Sequence, residues 1–264
     1  MPQRAATLLL AVATTAARGQ DADALAKKLS NPVSDLVSVP LQLNYDHGFG
    51  SQGEGARWQL NVQPVVPFSL SSRWNLISRT IVPLVDQDGP LANGDRLSGL
   101  GDISQSFFFS PTTPTASGWL LGAGPIFRLP TATNDRLGGE HWGAGPTIVA
   151  VRQTTSGWTY GALVDHVWSF GGNPERPDTS DTFFQPFLAK QLGQGRTLTI
   201  SAESSYSWDA HQWTVPLNVL FSRVSHLGSQ PLSYQFGVRA FLETPDGGPD
   251  WGLRFNVTLL YPRR

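Results

Sequence analysis

At 264 residues, with a formal net charge of -1 and a pI of about 6.5, the chain offers no basic field for nucleic acid and no Lys/Arg run that would make one. Lacking cysteine, it has no disulfide framework, no thiolate nucleophile and no Cys-based metal site. A hydrophobic content of 40% and a mean hydropathy of -0.17 are low for membrane helices, yet they suit a wall in which only alternate residues face lipid.

Residues 1–19 predict an export signal. Arg4 supplies the positive charge, Ala5 to Ala13 a short apolar core, and Ala17-Arg18-Gly19 a small-x-small cleavage site before Gln20. That core is far shorter than the roughly 20 apolar residues a spanning helix needs, and no other stretch approaches this length. Asp21 to Ser30 (DADALAKKLS) is the convincing helical stretch, ended by Asn31-Pro32. Residues 20–35 are expected either as a short periplasmic tail or as a piece folded back into a barrel mouth.

From Leu36 to Tyr261 twelve segments alternate apolar and polar residues, each broken at Gly, Pro, Asn, Asp or Ser. They predict strands at 36–46, 57–70, 74–85, 100–110, 118–128, 141–154, 157–170, 182–192, 197–208, 213–223, 231–242 and 251–261. Leu253, Phe255, Val257, Leu259 and Tyr261 share one face of the last segment, with Arg254, Asn256 and Thr258 on the other. The first segment sets Val37, Val39, Leu41, Leu43 and Tyr45 against Ser38, Gln42, Asn44 and Asp46. The fold class is therefore all-β, a transmembrane antiparallel up-and-down β-barrel of about twelve strands over 36–264, with a greasy outside and a wet inside. Connections after strands 1, 3, 5, 7 and 11 are long and rich in Gly, Asp, Asn and Pro, whereas SSR, TSG and GQGR are tight. Long loops outside and turns on the periplasmic side follow, with DAHQ (short) and PTTPTAS (long) as the two exceptions. Trp58, Phe68, Trp74, Trp119, Phe127, Trp142, Trp158, Trp168, Trp208, Trp213, Trp251 and Tyr261 fall near segment ends, where aromatic girdles belong. Strand prolines count against a closed wall, and the Gly-Pro pairs at 124–125 and 145–146 are expected to be bulges. The phase of segments 3, 6, 7 and 8 stays open, since Ile77 and Ile81 share a face with Arg79.

Catalytic motifs are absent from the sequence. His141 and His211 fall in expected loops, His47 and His226 at strand ends, and His166 within a strand, where Asp165 must point to the opposite face. There is no Gly-x-Ser-x-Gly elbow, His-Glu-x-x-His helix, EF-hand loop or phosphate-binding glycine loop, and no His-x-Ser-Asn-Gly signature of an outer-membrane phospholipase. The acidic loop residues are expected to keep the loops solvated.

The run NPVSDLVSVPLQLNYDHGFG, then LNVQPVVPFSL, GLGDISQSFFFSP, GAGPIFRLPTATND, HVWSFGG, QPFLAKQL and WGLRFNVTLLYP, resembles a family of bacterial outer-membrane proteins linked to the MetA pathway of phenol degradation, some of whose relatives bear the name neuromedin U. The resemblance runs along essentially all of the chain after the export signal. It implies an outer-membrane barrel and transport, and it supplies no binding residues.

The chemistry left over lies in the barrel interior. Candidate lumen-lining residues are Asp46, Asn61, Arg79, Asp102, Glu203, Asn218, Gln235, Arg239, Arg254 and Asn256. Unpaired charges in a narrow lumen are costly, so Glu203, Arg239 and Arg254 are expected to pair or to flank water. The expected protein is a monomer in contact with outer-membrane lipid and lipopolysaccharide. It passes small solutes, aromatic or otherwise hydrophobic, without a cofactor or an energy source. A closed-lumen structural or surface-interaction barrel is one alternative. A lipid hydrolase is the other, and it would need a lipid-face Ser within hydrogen-bond reach of His166.

Overall fold

The computed structural model describes residues 21–88 and 96–262; the expected export signal and the middle of the 86–99 loop lie outside them. A helix over 21–29 precedes fifteen strands: β1 Val37–Phe49, β2 Gly55–Val62, β3 Val65–Ser69, β4 Trp74–Asp88, β5 Leu97–Leu100, β6 Ile103–Pro111, β7 Trp119–Leu129, β8 His141–Gln153, β9 Trp158–Gly172, β10 Ser180–Gly193, β11 Arg196–Ala202, β12 Ser204–Ser207, β13 Gln212–Leu227, β14 Gln230–Glu243 and β15 Trp251–Tyr261. Three pairs, β2/β3, β5/β6 and β11/β12, are halves of single staves broken at Gln63–Pro64, Gly101–Asp102 and Glu203. Twelve antiparallel staves result. β15 pairs with β1 from Val37↔Tyr261 to His47↔Trp251, which closes the ring and removes the edges that a bilayer core could not hydrogen-bond.

The outer face follows the alternation. Ile148 is 58% exposed while Val149 and Val151 beside it are sealed, and Phe255 and Val257 lie outside while Arg254 and Thr258 are buried. Trp58, Phe127, Trp142, Trp168, Trp208, Trp213 and Trp251 gather at the loop end of the wall, and Phe68, Trp74, Trp119, Trp158 and Tyr261 at the turn end. These two belts mark the boundaries of a hydrocarbon layer. Val257→Arg, near the middle of β15, should cost about 2–4 kcal/mol of folding stability in lipid vesicles. Arg at Asn256 should cost much less, and equal costs would show that the phase assigned to β15 is wrong.

Two expectations need correction. The interior is not wet all round: Ile77, Phe108, Val149, Val151 and Leu163 form an apolar cluster on the inner wall, joined by Val33. The four segments of ambiguous phase contribute much of it, because staves apolar on both faces lose the period-2 contrast. Nor are the Gly-Pro pairs bulges. Pro125 faces Pro146 in an unbroken β7–β8 register, and the pairing simply lapses on the far side of each proline, between Ser106↔Ile126 and Phe109↔Ala123 and between Ala144↔Trp168 and Thr147↔Asp165. Proline lacks only a donor, so a closed wall absorbs it as a missing rung. Pro216 does sit at a register shift, against β14.

Candidate lumen and its charged rungs

The central inward residues of β1, β2, β11, β14 and β15 are largely polar and reach across neighbouring staves. Asp46, almost wholly buried, accepts from Arg239 Nη1 at 2.9 Å and from Arg57 Nη2 at 3.2 Å. Between Asp46 on β1 and Arg239 on β14 stands Gly252 of β15, in register with both. A Cβ there would collide with the Asp46 carboxylate and the Tyr45 carbonyl, so glycine leaves the lane through which the bridge crosses the intervening stave. Gly252→Ala should therefore destabilise the barrel by about 1–3 kcal/mol through overpacking, as read from denaturant unfolding in micelles. A cost no larger than that of Gly171→Ala, whose Cβ would meet open space, would refute this role.

A second rung lies beside the first. Arg254 of β15 grips Glu203 with two parallel bonds of 2.6 and 2.7 Å and donates through Nε to Asn44 Oδ1 at 2.8 Å. Glu203 sits at the break between β11 and β12, where its own amide bonds to the Pro216 carbonyl. Arg239, opposite in sign to Glu203, thus takes Asp46 as its hydrogen-bonded partner.

The other candidates are placed as follows. Asn61 accepts from Gln59 at 2.9 Å, Arg79 donates to Gln63 at 3.1 Å, and Asn218 donates to the Ser201 carbonyl at 3.2 Å. Gln235 and Asn256 line a cavity of about 250 Å³ together with Glu203 and Arg254. Asp102 acts as a clamp, its carboxylate accepting the amides of Ala132 and Gly139 and so tying the 130–140 loop to the break between β5 and β6. Sequence reading missed the Arg128–Asp181 pair at 2.7 Å and the roles of Arg57 and Asn44. Their inward phase was available as a signal. At the loop end, just beyond the paired ends of β8 and β9, Asn173 donates to Glu140 at 2.5 Å, and this bond, with Arg176 nearby, holds the Glu140 carboxyl below its ordinary value.

The helix over 21–29 lies in the mouth at the turn end. Ala22, Leu25 and Ala26 pack on Leu36, Val224 and Leu260 of the inner wall. Asp23 accepts the Gly195 amide at 2.6 Å, and Gln153 donates to the Lys27 carbonyl at 2.8 Å. Ala26, Leu29, Ser30 and Pro32 line the 250 Å³ cavity, and Leu29, Asn31, Pro32, Ser34 and Leu36 line another of about 190 Å³. Nearer the loops, cavities of about 370 and 360 Å³ share Arg128.

The histidines fall differently than expected in one case. His141 opens β8, as the strand expected at 141–154 has it, and is buried, so its placement among the loop histidines is corrected. His166 points outward from β9 beside Trp168, with Nδ1 2.7 Å from Thr182 Oγ1 and Nε2 3.3 Å from Ser180 Oγ. The Ser180 amide is already bonded to Asp209 Oδ2 at 2.7 Å, and among the described residues no carboxylate touches the ring.

No family model and no curated protein matches the chain. Solved structures do. An outer membrane channel from Pseudomonas putida F1 superposes with a TM-score of 0.66 at 14% identity, over 86% of this chain and 96% of that one. The NanC porin superposes with a TM-score of 0.52 at 8% identity, over 85% and 100%. Identities this low speak for the fold alone. That fold is the outer-membrane β-barrel, in agreement with the closed ring, the lipid-facing exterior and the paired aromatic belts.

Proposed function

We propose that the chain is a passive outer-membrane channel for small solutes of little charge, with loops facing outward, turns facing the periplasm and residues 21–35 serving as its plug. The observation that carries this reading is the two-sided lumen. One wall is apolar (Ile77, Phe108, Val149, Val151, Leu163), and on the facing wall Arg254 cancels Glu203 while Asp46 offsets one of the two arginines it binds, Arg239 and Arg57, leaving a single positive charge. Once Val33 and the plug segment leave the apolar wall, a solute there meets hydrogen-bonding groups, apolar surface and only a small residual positive charge, which suits an uncharged aromatic better than a cation. The channel and porin among the structural neighbours agree with passage through the barrel, and the sequence resemblance to the phenol-degradation family points to aromatic solutes.

The test is conductance in planar bilayers. Small current steps reduced by catechol but not by glucose support the reading. An absence of steps, both for the intact chain and after residues 21–35 are deleted, would favour a closed structural barrel. A second reading, lipid hydrolysis, rests on the Ser180–His166 approach of 3.3 Å. Labelling of Ser180 by a fluorophosphonate, lost in His166→Ala, would favour it.

A further inference from the structure

At the turn end of β7 to β11 the lipid-facing surface carries an apolar groove of about 560 Å³, lined by Trp119, Ala150, Tyr160, Ala162, Leu188 and Ile200 among others. Small side chains make its floor, for Ala150 and Ala162 face each other in the β8–β9 register. One step nearer the turns, Arg152 projects outward from β8, in register between Trp119 and Tyr160. Among the described residues it has no hydrogen-bonded or ionic partner. Lys190 lies on the same face, its ammonium 4.8 Å from the Trp158 ring centroid and donating to the Ser156 carbonyl at 2.7 Å. No Asp or Glu occupies an outward position along this end of β7 to β11.

A guanidinium in a lipid-facing row is costly unless it lies at the interface and finds an anion. The described residues of the protein supply none. A phosphodiester does, and it matches the planar fork of Arg with paired charge-assisted bonds. The apolar groove begins immediately below, where the chains of such a lipid would run. We propose that this face binds one glycerophospholipid of the periplasmic leaflet, its phosphate on Arg152 with Lys190 beside it and an acyl chain in the groove over Ala150 and Ala162. The cationic head and the apolar groove together define the ligand class; neither alone would.

Native mass spectrometry of the folded protein, released from micelles containing palmitoyl-oleoyl phosphatidylglycerol, tests the site, with heat-modified gel mobility checking that each variant is folded. One retained lipid is expected. Loss of the Arg152 contact in Arg152→Gln should lower retention about tenfold or more, as should filling the groove with Ala162→Leu. Lys190→Gln should lower it less. Arg223→Gln, another exposed outward arginine near the turn end but on β13, should leave it unchanged. Equal loss in Arg223→Gln would reduce the effect to the charge of the rim and overturn the site. So would undiminished retention in both Arg152→Gln and Ala162→Leu, equal retention of palmitoyl-oleoyl glycerol, which lacks the phosphate, or a preference for lipid A.

Discussion

Arg254→Gln is expected to lower the folding stability of the barrel by about 3–5 kcal/mol, the cost of leaving a buried charge without its partner. Arg254 is 2% exposed, and its guanidinium supplies both bonds to the Glu203 carboxylate. With the arginine gone, Glu203 keeps only the long bond from Gln185 at 3.4 Å, and Asn44 loses its donor. The double variant Arg254→Gln/Glu203→Gln removes both charges and should recover a large share of the loss, because two neutral amides need far less solvation than one isolated carboxylate. Urea unfolding in lipid vesicles, followed by tryptophan fluorescence, measures both. If the double variant were as unstable as the sum of the two single ones, the rung would carry no coupling. Glu203→Gln alone should also weaken the barrel, since it leaves the buried Arg254 guanidinium without its counter-charge. A lost cation preference without a loss of stability would instead make Glu203 a pore-lining charge.

Most of the wall was legible in the sequence because a strand with one face in lipid and one in a polar lumen has no freedom to hide its period. Leu253 to Tyr261 and Val37 to Asp46 fixed the phase of β15 and β1, and those two staves close the ring with the register running from Val37↔Tyr261 to His47↔Trp251. The inner apolar wall was not legible. Val149 and Val151 face inward and Ile148 outward, so the local string IVAV reads the same whichever way the stave is turned. Pairing was harder still. Arg239 and Glu203 share a lumen and have opposite signs, but which acid an arginine reaches depends on lateral order and on small residues such as Gly252 in between. That information is spread over staves from both ends of the chain, with β1 set beside β15. The Ser180–His166 approach has the same origin, since it arises from the β9–β10 register and leaves no local motif.

Deleting residues 21–35 should raise single-channel conductance several-fold while leaving the barrel folded. The segment closes no backbone ladder of the ring, whose rungs run from β15 to β1 without it. Its hold on the wall is local: the apolar contacts of Ala22, Leu25 and Ala26, the Asp23–Gly195 and Gln153–Lys27 bonds, and Val33 set against Ile77, Phe108 and Leu163. Burial of Leu25 and Val33 contributes about 1.5–3 kcal/mol at each site, enough to keep the mouth covered for most of the time. Leu25→Asp should then give intermediate behaviour, with longer open periods. The absence of native cysteine makes a decisive control simple. In a chain carrying Ala26→Cys and Val224→Cys, whose parent residues pack in one cluster, oxidation should hold conductance at its floor and reduction should restore the intact level. If deletion leaves the conductance unchanged, the barrier lies among the charged rungs and the apolar wall, and the helix is a lining element rather than the plug.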